Sequence, residues 1–386
     1  MLTEKELRKA LELIQSRLDD LNLLYIRKIA QQIRRIGELN QSSVNRLVIL
    51  AEVESDAADV TQALATALGE TVADVQKIYR AAMAETYTDP RFSAYFAQDG
   101  QIPDEAKARM NQLVASMALQ TAKTMVNFSN TTAISQAYRD AVDKGIMAVT
   151  TGLTDYKTAT RETIRALGYN GMQVQYESGY HRRLDTAVRQ NIIDGTNQIS
   201  QQGANIVGEA LGYDAVEISA HAHSAPDHEP VQGRVFLKAE YEKMQSGQSF
   251  VDIKGNHYAG FKRPIQEWNC QHFALPFSTK YSKPRWSEET LQKWASDNAK
   301  GCEIDGKHYT TYQAQQLMRK IETLSRRWKD TANAARIAGD DTLRRECQMK
   351  INALAAKYGQ ISRLSGLTEH RDRMTVQGFK AVKLAN

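Results

Sequence analysis

The sequence predicts a mostly α-helical protein of the α+β class. Apolar residues recur at helical spacing through both ends of the chain, while strand-like alternation of polar and apolar residues is confined to the middle. Breaks rich in glycine, proline and aspartate separate the helical stretches. These observations divide the chain into a helical domain (1–170), a small central α+β module (175–285), a region with a helical hairpin (286–367) and a tail (368–386).

The helical domain opens with an apolar stripe whose members are three or four residues apart. Thr3 and Glu6 are spaced as a capping box, which predicts that the helix begins there. Such a stripe must be covered, and we expect the rest of the domain to cover it. Helix breaks are predicted at Gly69, 89–90 and 100–103. The stripe comprises Leu7, Leu11, Ile14, Leu18, Leu21 and Tyr25, and further helices are predicted at 42–50, 57–68, 72–87, 104–126 and 133–150.

The central module is predicted from a change of pattern. A helix rich in glutamine and asparagine covers residues 182–210, and Gly212 ends it. Residues 215–220 then alternate like a half-buried strand. Shorter extended pieces follow, with strands at 234–236 and 273–277 and a turn or strand edge at 257–258.

The last part of the chain is predicted to form an antiparallel pair of helices. Residues 338–341 separate two apolar stripes. Gly339 can close the first helix in the left-handed conformation, and an aspartate next to it can cap the second. The tail has no clear period. The first stripe comprises Leu317, Ile321, Leu324 and Trp328, and the second comprises Leu343, Cys347, Ile351, Leu354, Tyr358 and Ile361.

The composition is that of an ordinary folded protein. Of 386 residues, 42% are hydrophobic, 25% are charged and only seven are proline, which argues against extensive disorder. Three cysteines are too few for a disulfide framework, so we expect free thiols and assembly in a reducing cytoplasm. The first residues do not resemble a secretion signal, and no apolar run approaches about eighteen residues. Secretion and membrane spanning are therefore not expected.

Basic charge is concentrated in the last part of the chain. From Lys280 onward there are 21 Lys and Arg against 12 Asp and Glu, although the net charge of the whole chain is only +5. A basic surface of this kind suits sequence-independent contact with the phosphates of double-stranded DNA. A solvated helix surface explains the same charges equally well. The candidate DNA contacts are Arg319, Lys320, Arg326, Arg327 and Lys329.

Four histidines and a cysteine stand out in two polar stretches of the central module. Imidazole and thiolate groups are ligands that suit zinc, but their spacing is not a standard zinc pattern. We expect no cofactor and favour a turn in which the imidazoles hydrogen-bond buried backbone and one another. In either case the two stretches should lie close together. The metal candidates are His221, His223, His228, Cys270 and His272.

Two enzymatic sites are chemically conceivable in the same stretches. Cys270 could act as a nucleophile beside a histidine base. A metal-dependent nuclease would use carboxylates to hold a cation and an imidazole to activate water. No phosphate-binding glycine loop, dinucleotide fingerprint or nucleophile elbow accompanies them, so we expect that the protein is not an enzyme. The nuclease set would be His221, Asp227, His228 and Glu229.

The polar stretches follow a distinctive order of motifs. Ile218-Ser219-Ala220-His221 comes first, then Pro-Asp-His-Glu-Pro at 226–230 with Gln-Gly-Arg-Val-Phe at 232–236, and Asn-Cys-Gln-His at 269–272 ends in Pro-Phe. This order resembles the phage minor capsid protein family related to the Mu F-like head morphogenesis proteins. The helix at 183–189 and the hairpin at Gly339 with 365–367 are also similar to that family.

The resemblance implies a structural role inside a phage head. It implies a few copies in each virion, near the portal vertex, that contact the portal protein and assist head assembly or genome delivery. Members of the resembled family commonly have an aromatic residue before the Gln-Gly pair, where this chain has Val231. They commonly have an arginine two positions before the Asp-His pair, where this chain has Ala225. Distant relatives carry cysteine pairs, which would suit a metal, near the places where this chain has Ser224 and Asp227. The lack of those cysteines argues against zinc in this chain.

Two other functions are compatible with the sequence. An enzyme or toxin carried in the virion would keep its fold and lose turnover when single polar residues of the loops are changed. A cellular DNA-binding protein would cluster arginine or aromatic residues on one face.

Overall fold

The computed structural model describes most of the chain and confirms the predicted mostly helical α+β class. The described residues are 4–38, 43–87, 92, 101–132, 134, 140, 156–260, 262–266, 270 and 272–384. They contain nine α-helices and nine short strands. Within them, no helix has both the length and the apolar character needed to cross a membrane.

Long helices make up the amino-terminal part, and one of them corrects the sequence analysis. The predicted break at Gly69 is wrong, because a single helix passes through it. Gly69 is exposed with open space around it, while Leu68 beside it is only 2% exposed. Burial of such neighbours outweighs the cost of about 1 kcal/mol for glycine in a helix. Thr3 and most of 133–150 lie outside the described residues. These helices are α1 (Glu4–Glu38), α2 (Ser43–Tyr87), α3 (Asp104–Thr131) and α4 (Tyr156–Asn170).

The central module begins with a strand pair that the sequence analysis did not predict. Strands β1 (Gln173–Gln175) and β2 (His181–Arg183) are antiparallel, and the helix predicted from residue 182 begins after them, at Leu184. Gly212 follows this helix in the left-handed region, with φ at +69°. The remaining elements are α5 (Leu184–Ala210), β3 (Ala215–Ile218), β4 (Val235–Leu237), α6 (Lys238–Gln245), β5 (Phe250–Val251), β6 (His257–Tyr258) and β7 (Ala274–Phe277).

Strand β3 lies in the middle of a three-stranded antiparallel sheet. The strand order is β4-β3-β7, with Val216 opposite Phe236 on one side and Pro276 on the other. Strand β7 is at an edge of this sheet, where a proline without an N–H group is tolerated. Strands β5 and β6 form a separate pair. The predicted strands near 215, 235 and 275 are therefore confirmed, with ends shifted by one or two residues.

The predicted helical hairpin is confirmed at the carboxyl-terminal end. Gly339 ends its first helix with φ at +77°, and the Asp340 side chain accepts a hydrogen bond from the Leu343 N–H at 2.9 Å. One helix and a strand pair precede the hairpin, and neither was predicted. The elements are α7 (Glu288–Lys300), β8 (Cys302–Ile304), β9 (Lys307–Tyr309), α8 (Thr311–Ala338) and α9 (Asp341–Ser365).

The tail lies against the hairpin. A short 3₁₀ helix (Arg371–Met374) places Met374 at 5% exposure. Asn333 of α8 donates to the Gln377 carbonyl at 3.1 Å, and the Val382 N–H donates to Gln348 of α9 at 3.0 Å. Backbone and side-chain hydrogen bonds thus connect this segment to both helices.

One hydrophobic cluster joins the amino-terminal helices to the rest of the protein. The α1 stripe belongs to it, and Leu11 to Tyr25 of that stripe are at most 7% exposed, so the expectation that other helices cover it is confirmed. The same cluster includes residues of α2, α3, α5, α8 and α9. The small module has its own cluster around Phe236, and the hairpin has another around Tyr358. The division of the chain into four domains stays a prediction.

Candidate functional site

The two polar stretches meet because of the register of the central sheet. Ile218 at the end of β3 is opposite Ala274 at the start of β7. Just beyond this pair, the Ser219 N–H donates to the Phe273 carbonyl at 2.8 Å, and the Phe273 N–H donates to the Ser219 hydroxyl at 2.8 Å. The loop after β3 and the segment before β7 therefore leave the sheet side by side, which confirms the predicted proximity.

The loop after β3 folds into consecutive turns that return to β4. The Ala225 carbonyl accepts from the His228 and Glu229 N–H groups, and the Gly233 N–H donates to the Ile218 carbonyl at 2.8 Å. Gly233 has φ at +68°, and a Cβ there would lie 2.8 Å from the Leu291 side chain of α7. Glycine at this position thus permits both the turn and the close approach of α7.

Three ligand-type side chains converge in this fold. Cys270 Sγ lies 3.2 Å from His228 Nδ1 and 3.5 Å from His272 Nδ1. Ligand atoms of all three residues lie within 4.8 Å of one another, and among the described residues this is the only such group of histidine, cysteine and carboxylate side chains. Their exposures are 0% for His228, 9% for Cys270 and 3% for His272, so the group is buried.

Burial determines the protonation of this group. It lowers the pKa of His272 to about 3, with smaller contributions from the neighbouring His221, His228 and Arg263, and it lowers the pKa of His228 as well. Both imidazoles are therefore neutral at pH 7. Burial also raises the pKa of Cys270, which keeps it a thiol in the absence of a cation. A catalytic cysteine would need the opposite shift.

The other two metal candidates lie beside the group rather than in it. The His221 ring stacks on His272 with ring centroids 4.5 Å apart, and His221 Nδ1 lies 3.1 Å from the Ala222 carbonyl. His223 adopts φ at +61°, and burial lowers its pKa. Neither residue belongs to the convergent group among the described residues. The five candidates thus divide into three that converge and two that flank them.

The two carboxylates that a nuclease site would use, Asp227 and Glu229, bind side chains elsewhere in the protein. Asp227 forms a bidentate pair with Arg263, at 2.8 and 2.7 Å. Glu229 accepts from the Asn298 side chain of α7 at 3.0 Å. Neither carboxylate joins the convergent group, so these side chains position loops in this structure.

Several polar residues that the sequence analysis did not single out support the site. Gln232 Oε1 accepts from the His221 N–H at 3.2 Å and lies 3.4 Å from His272 Nε2. Gln201, buried on α5, accepts from the Ala274 N–H at 2.9 Å. Gln201 lies in the glutamine-rich helix, but a single polar residue in such a helix gives no signal of its partner 73 residues away.

Two of the basic candidates of α8 have partners inside the protein. Arg326 Nη1 lies 3.6 Å from the Asp185 carboxylate. Lys329 Nζ donates to the Met374 carbonyl at 2.7 Å, and burial lowers its pKa. These contacts tie α8 to the start of α5 and to the tail. A substitution at either position would change the fold as well as any DNA contact.

The remaining three basic candidates differ in exposure. The Arg327 guanidinium lies 5.2 Å from the centre of the Tyr169 ring, in a cation–π geometry. Arg319 is half-buried, whereas Lys320 is exposed. Of the five, Lys320 is thus the residue best placed to meet an external phosphate.

Comparison with known proteins gives the family. The model of the family described as phage minor capsid protein 2 matches residues 9–360, which include the amino-terminal helices as well as the central module. A protein of Lactococcus phage LL-H named "Structural protein" is 23% identical over 296 residues, covering 71% of this chain and 73% of that protein. No solved structure matches the chain significantly. Since the family match covers far more than half of the sequence, the chain belongs to the phage minor capsid protein 2 family and is a structural protein of a bacteriophage virion.

Proposed function

We propose that this protein lies inside the phage head at the portal vertex, in a few copies, and assists head assembly or genome delivery. The observation that carries the proposal is the family match from residue 9 to residue 360, which spans the helical core and the central module together. The portal association itself rests on the resemblance of the polar motifs to the Mu F-like head morphogenesis proteins. Its partners would be the portal protein and other head proteins.

The role is structural rather than catalytic in this proposal. Burial raises the pKa of Cys270, which does not suit a nucleophile. Asp227 and Glu229 are engaged by Arg263 and Asn298, which does not suit a nuclease. The buried polar groups instead connect α5, α7 and the central sheet, as expected of a rigid assembly component.

Contact with packaged double-stranded DNA is a second part of the proposal. The basic excess of the last part of the chain is carried by exposed side chains, including Lys320 on α8 and Arg345 and Lys350 on α9. Such side chains address phosphates, so binding should be independent of base sequence. Charge-neutral substitution of these three residues should lower the slope of log affinity against log salt by roughly 0.9 for each phosphate that is no longer neutralised.

A matched control for this measurement is available on the same protein. Lys254, in the central module, is exposed, and its substitution by Gln should leave the salt slope unchanged. Full-length protein that shows no retardation of duplex DNA at low salt would refute the DNA contact and leave the portal proposal standing.

Portal association is tested by co-expression of the full chain with the portal protein of the same phage. We expect the two to copurify and to remain together through size-exclusion chromatography, because a specific assembly contact should survive dilution. The major capsid protein, co-expressed in the same way, serves as the control partner. Copurification with the major capsid protein alone would contradict the proposal.

A further inference from the structure

We infer that His228, Cys270 and His272 bind one zinc ion. Two of these residues come from the segment before β7 and one from the loop after β3, and the sheet register brings them together. A site of one thiolate and two imidazoles has the soft and borderline ligands that zinc prefers. The inference revises the metal-free turn favoured by the sequence, on the basis of the geometry.

The separations between the ligand atoms agree with a tetrahedral zinc site. Zinc–sulfur bonds of about 2.3 Å and zinc–nitrogen bonds of about 2.0–2.1 Å at the tetrahedral angle place sulfur and nitrogen about 3.6 Å apart. Cys270 Sγ lies 3.2 Å from His228 Nδ1 and 3.5 Å from His272 Nδ1. The two sulfur–nitrogen separations would thus change by at most about 0.4 Å when the ion binds.

The hydrogen positions also favour a cation at this point. The Arg263 carbonyl can only accept, so His228 Nε2, 2.7 Å away, carries the hydrogen and Nδ1 carries the lone pair. His272 Nε2 lies 3.4 Å from Gln232 Oε1, which accepts from the His221 N–H, and 3.4 Å from the Ser224 hydroxyl, which donates to the Ala225 carbonyl. Both oxygens can accept a hydrogen from His272 Nε2. With both Nε2 atoms carrying hydrogen, the two Nδ1 lone pairs and the Cys270 thiolate are all available to a single zinc ion.

The competing metal-free arrangement is defined by the same contacts. In it, Cys270 donates to one Nδ1, and Arg263 Nη2 approaches His228 Nδ1 at 3.5 Å. That distance is at the outer limit of a hydrogen bond and is much longer than the 2.7 Å bond that the same nitrogen donates to Asp227. A zinc ion would instead bind the Nδ1 atoms of both imidazoles at about 2.0–2.1 Å.

The groups around the three ligands are those expected to support a metal centre. The Nε2 atom of His228 donates to the Arg263 carbonyl, and the Nε2 atom of His272 lies 3.4 Å from both the Gln232 side-chain oxygen and the Ser224 hydroxyl. Such contacts orient metal-bound histidines and set their tautomer. The His272 N–H lies 3.4 Å from Cys270 Sγ, where it would stabilise a thiolate.

The site would act as a structural cross-link. It would join the loop after β3 to the segment before β7, and its burial separates it from bulk solvent. Three ligands come from this group, and a water molecule would be the fourth. Because the ion binds the folded chain alone, zinc should raise the stability of the protein.

The test measures the zinc content of full-length protein purified without chelator. We expect one zinc ion in each chain, and at least a tenfold loss of zinc affinity in Cys270→Ser and in His272→Gln. Cys302→Ser is the matched control, because Cys302 is a free cysteine of β8 outside the convergent group. It should bind zinc as the native protein does.

A second measurement on the native protein keeps the test decisive if the variants do not fold. Replacement of zinc by Co²⁺ should produce the thiolate-to-cobalt charge-transfer absorption, and a chelator should lower the unfolding temperature. Native protein that contains no zinc and shows no cobalt absorption would overturn the inference in favour of the hydrogen-bonded turn. That outcome would leave the portal proposal untouched.

Discussion

Arg183 should be among the most sensitive positions in the protein, because it holds two buried carboxylates together. Its guanidinium donates to Asp330 of α8 at 2.7 Å and to Asp185 of α5 at 3.2 Å, and the Arg183 and Asp330 side chains are each 8% exposed. Arg326 is the second cation near Asp185, at 3.6 Å. The cluster thus fixes the start of α5 against the carboxyl-terminal hairpin.

Arg183→Met should therefore destabilise the fold strongly. The methionine keeps most of the apolar stem, but among the described residues it leaves Arg326 as the cation near the buried Asp185 and Asp330. Loss of one partner of a buried ion pair costs about 3–5 kcal/mol, because the remaining charge is left without compensation. The measurement is equilibrium unfolding in urea followed by circular dichroism, with the midpoint and slope compared with those of the native chain.

Arg165→Met is the matched control for this substitution. Arg165 of α4 pairs with Glu346 of the hairpin at 2.5 Å, but the two side chains are 41% and 40% exposed. An exposed pair of this kind contributes about 0–1 kcal/mol. If the two variants unfold at the same urea concentration, the reasoning about the buried cluster is refuted.

Two further predictions concern single residues. Burial raises the pKa of Asp19 from 3.8 to about 6, so the penalty for its ionised form grows as pH rises from about 3.8 to about 6 and is constant above that. Asp19→Asn should therefore stabilise the protein in urea unfolding by up to about 3 kcal/mol at pH 7.5 and by roughly half of that at pH 5, and an equal effect at both pH values would contradict this. Gly233→Ala should lower the unfolding temperature more than Gly255→Ala. Both glycines have positive φ, so alanine costs about 1–2 kcal/mol at either position, but of the two only Gly233 lies close to another side chain, that of Leu291. Equal losses would show that the contact with Leu291 is unimportant.

Much of the fold could be predicted because local patterns and packing agree. The α1 stripe, the hairpin turn at Gly339 and the strand at 215–218 each combine a periodic pattern with a clear boundary residue. The error at Gly69 arose because an isolated glycine costs little when its neighbours are buried. Tertiary packing of a helix 45 residues long is not visible in a local window.

The missed strand pair β8 and β9 did leave a signal in the sequence. Asp305 and Gly306 form its turn with φ at +51° and +74°, and Asp-Gly between extended residues is typical of a two-residue hairpin turn. The helical periodicity on both sides hid it. Strand β2 left a weaker signal, because its three residues include two arginines that also fit the start of a helix.

The convergence of the site could be predicted, but its membership could not. Matching polar content in two strand-flanking loops indicated that His228, Cys270 and His272 would meet. Which histidines point inward depends on turns such as the one at Gly233 and on the left-handed backbone of His223, which spacing alone does not reveal. Likewise, the partners of Arg326 and Lys329 come from α5 and the tail, far away in sequence.

The location that we propose for this virion protein, the portal vertex, is tested most directly by its copy number in assembled heads. Quantitative mass spectrometry would compare heads assembled with the portal protein and heads assembled without it, normalised to the major capsid protein. The account predicts a few copies in each head with the portal and loss of the protein from heads without it. Copy numbers that scale with the major capsid protein and persist without the portal would contradict the account.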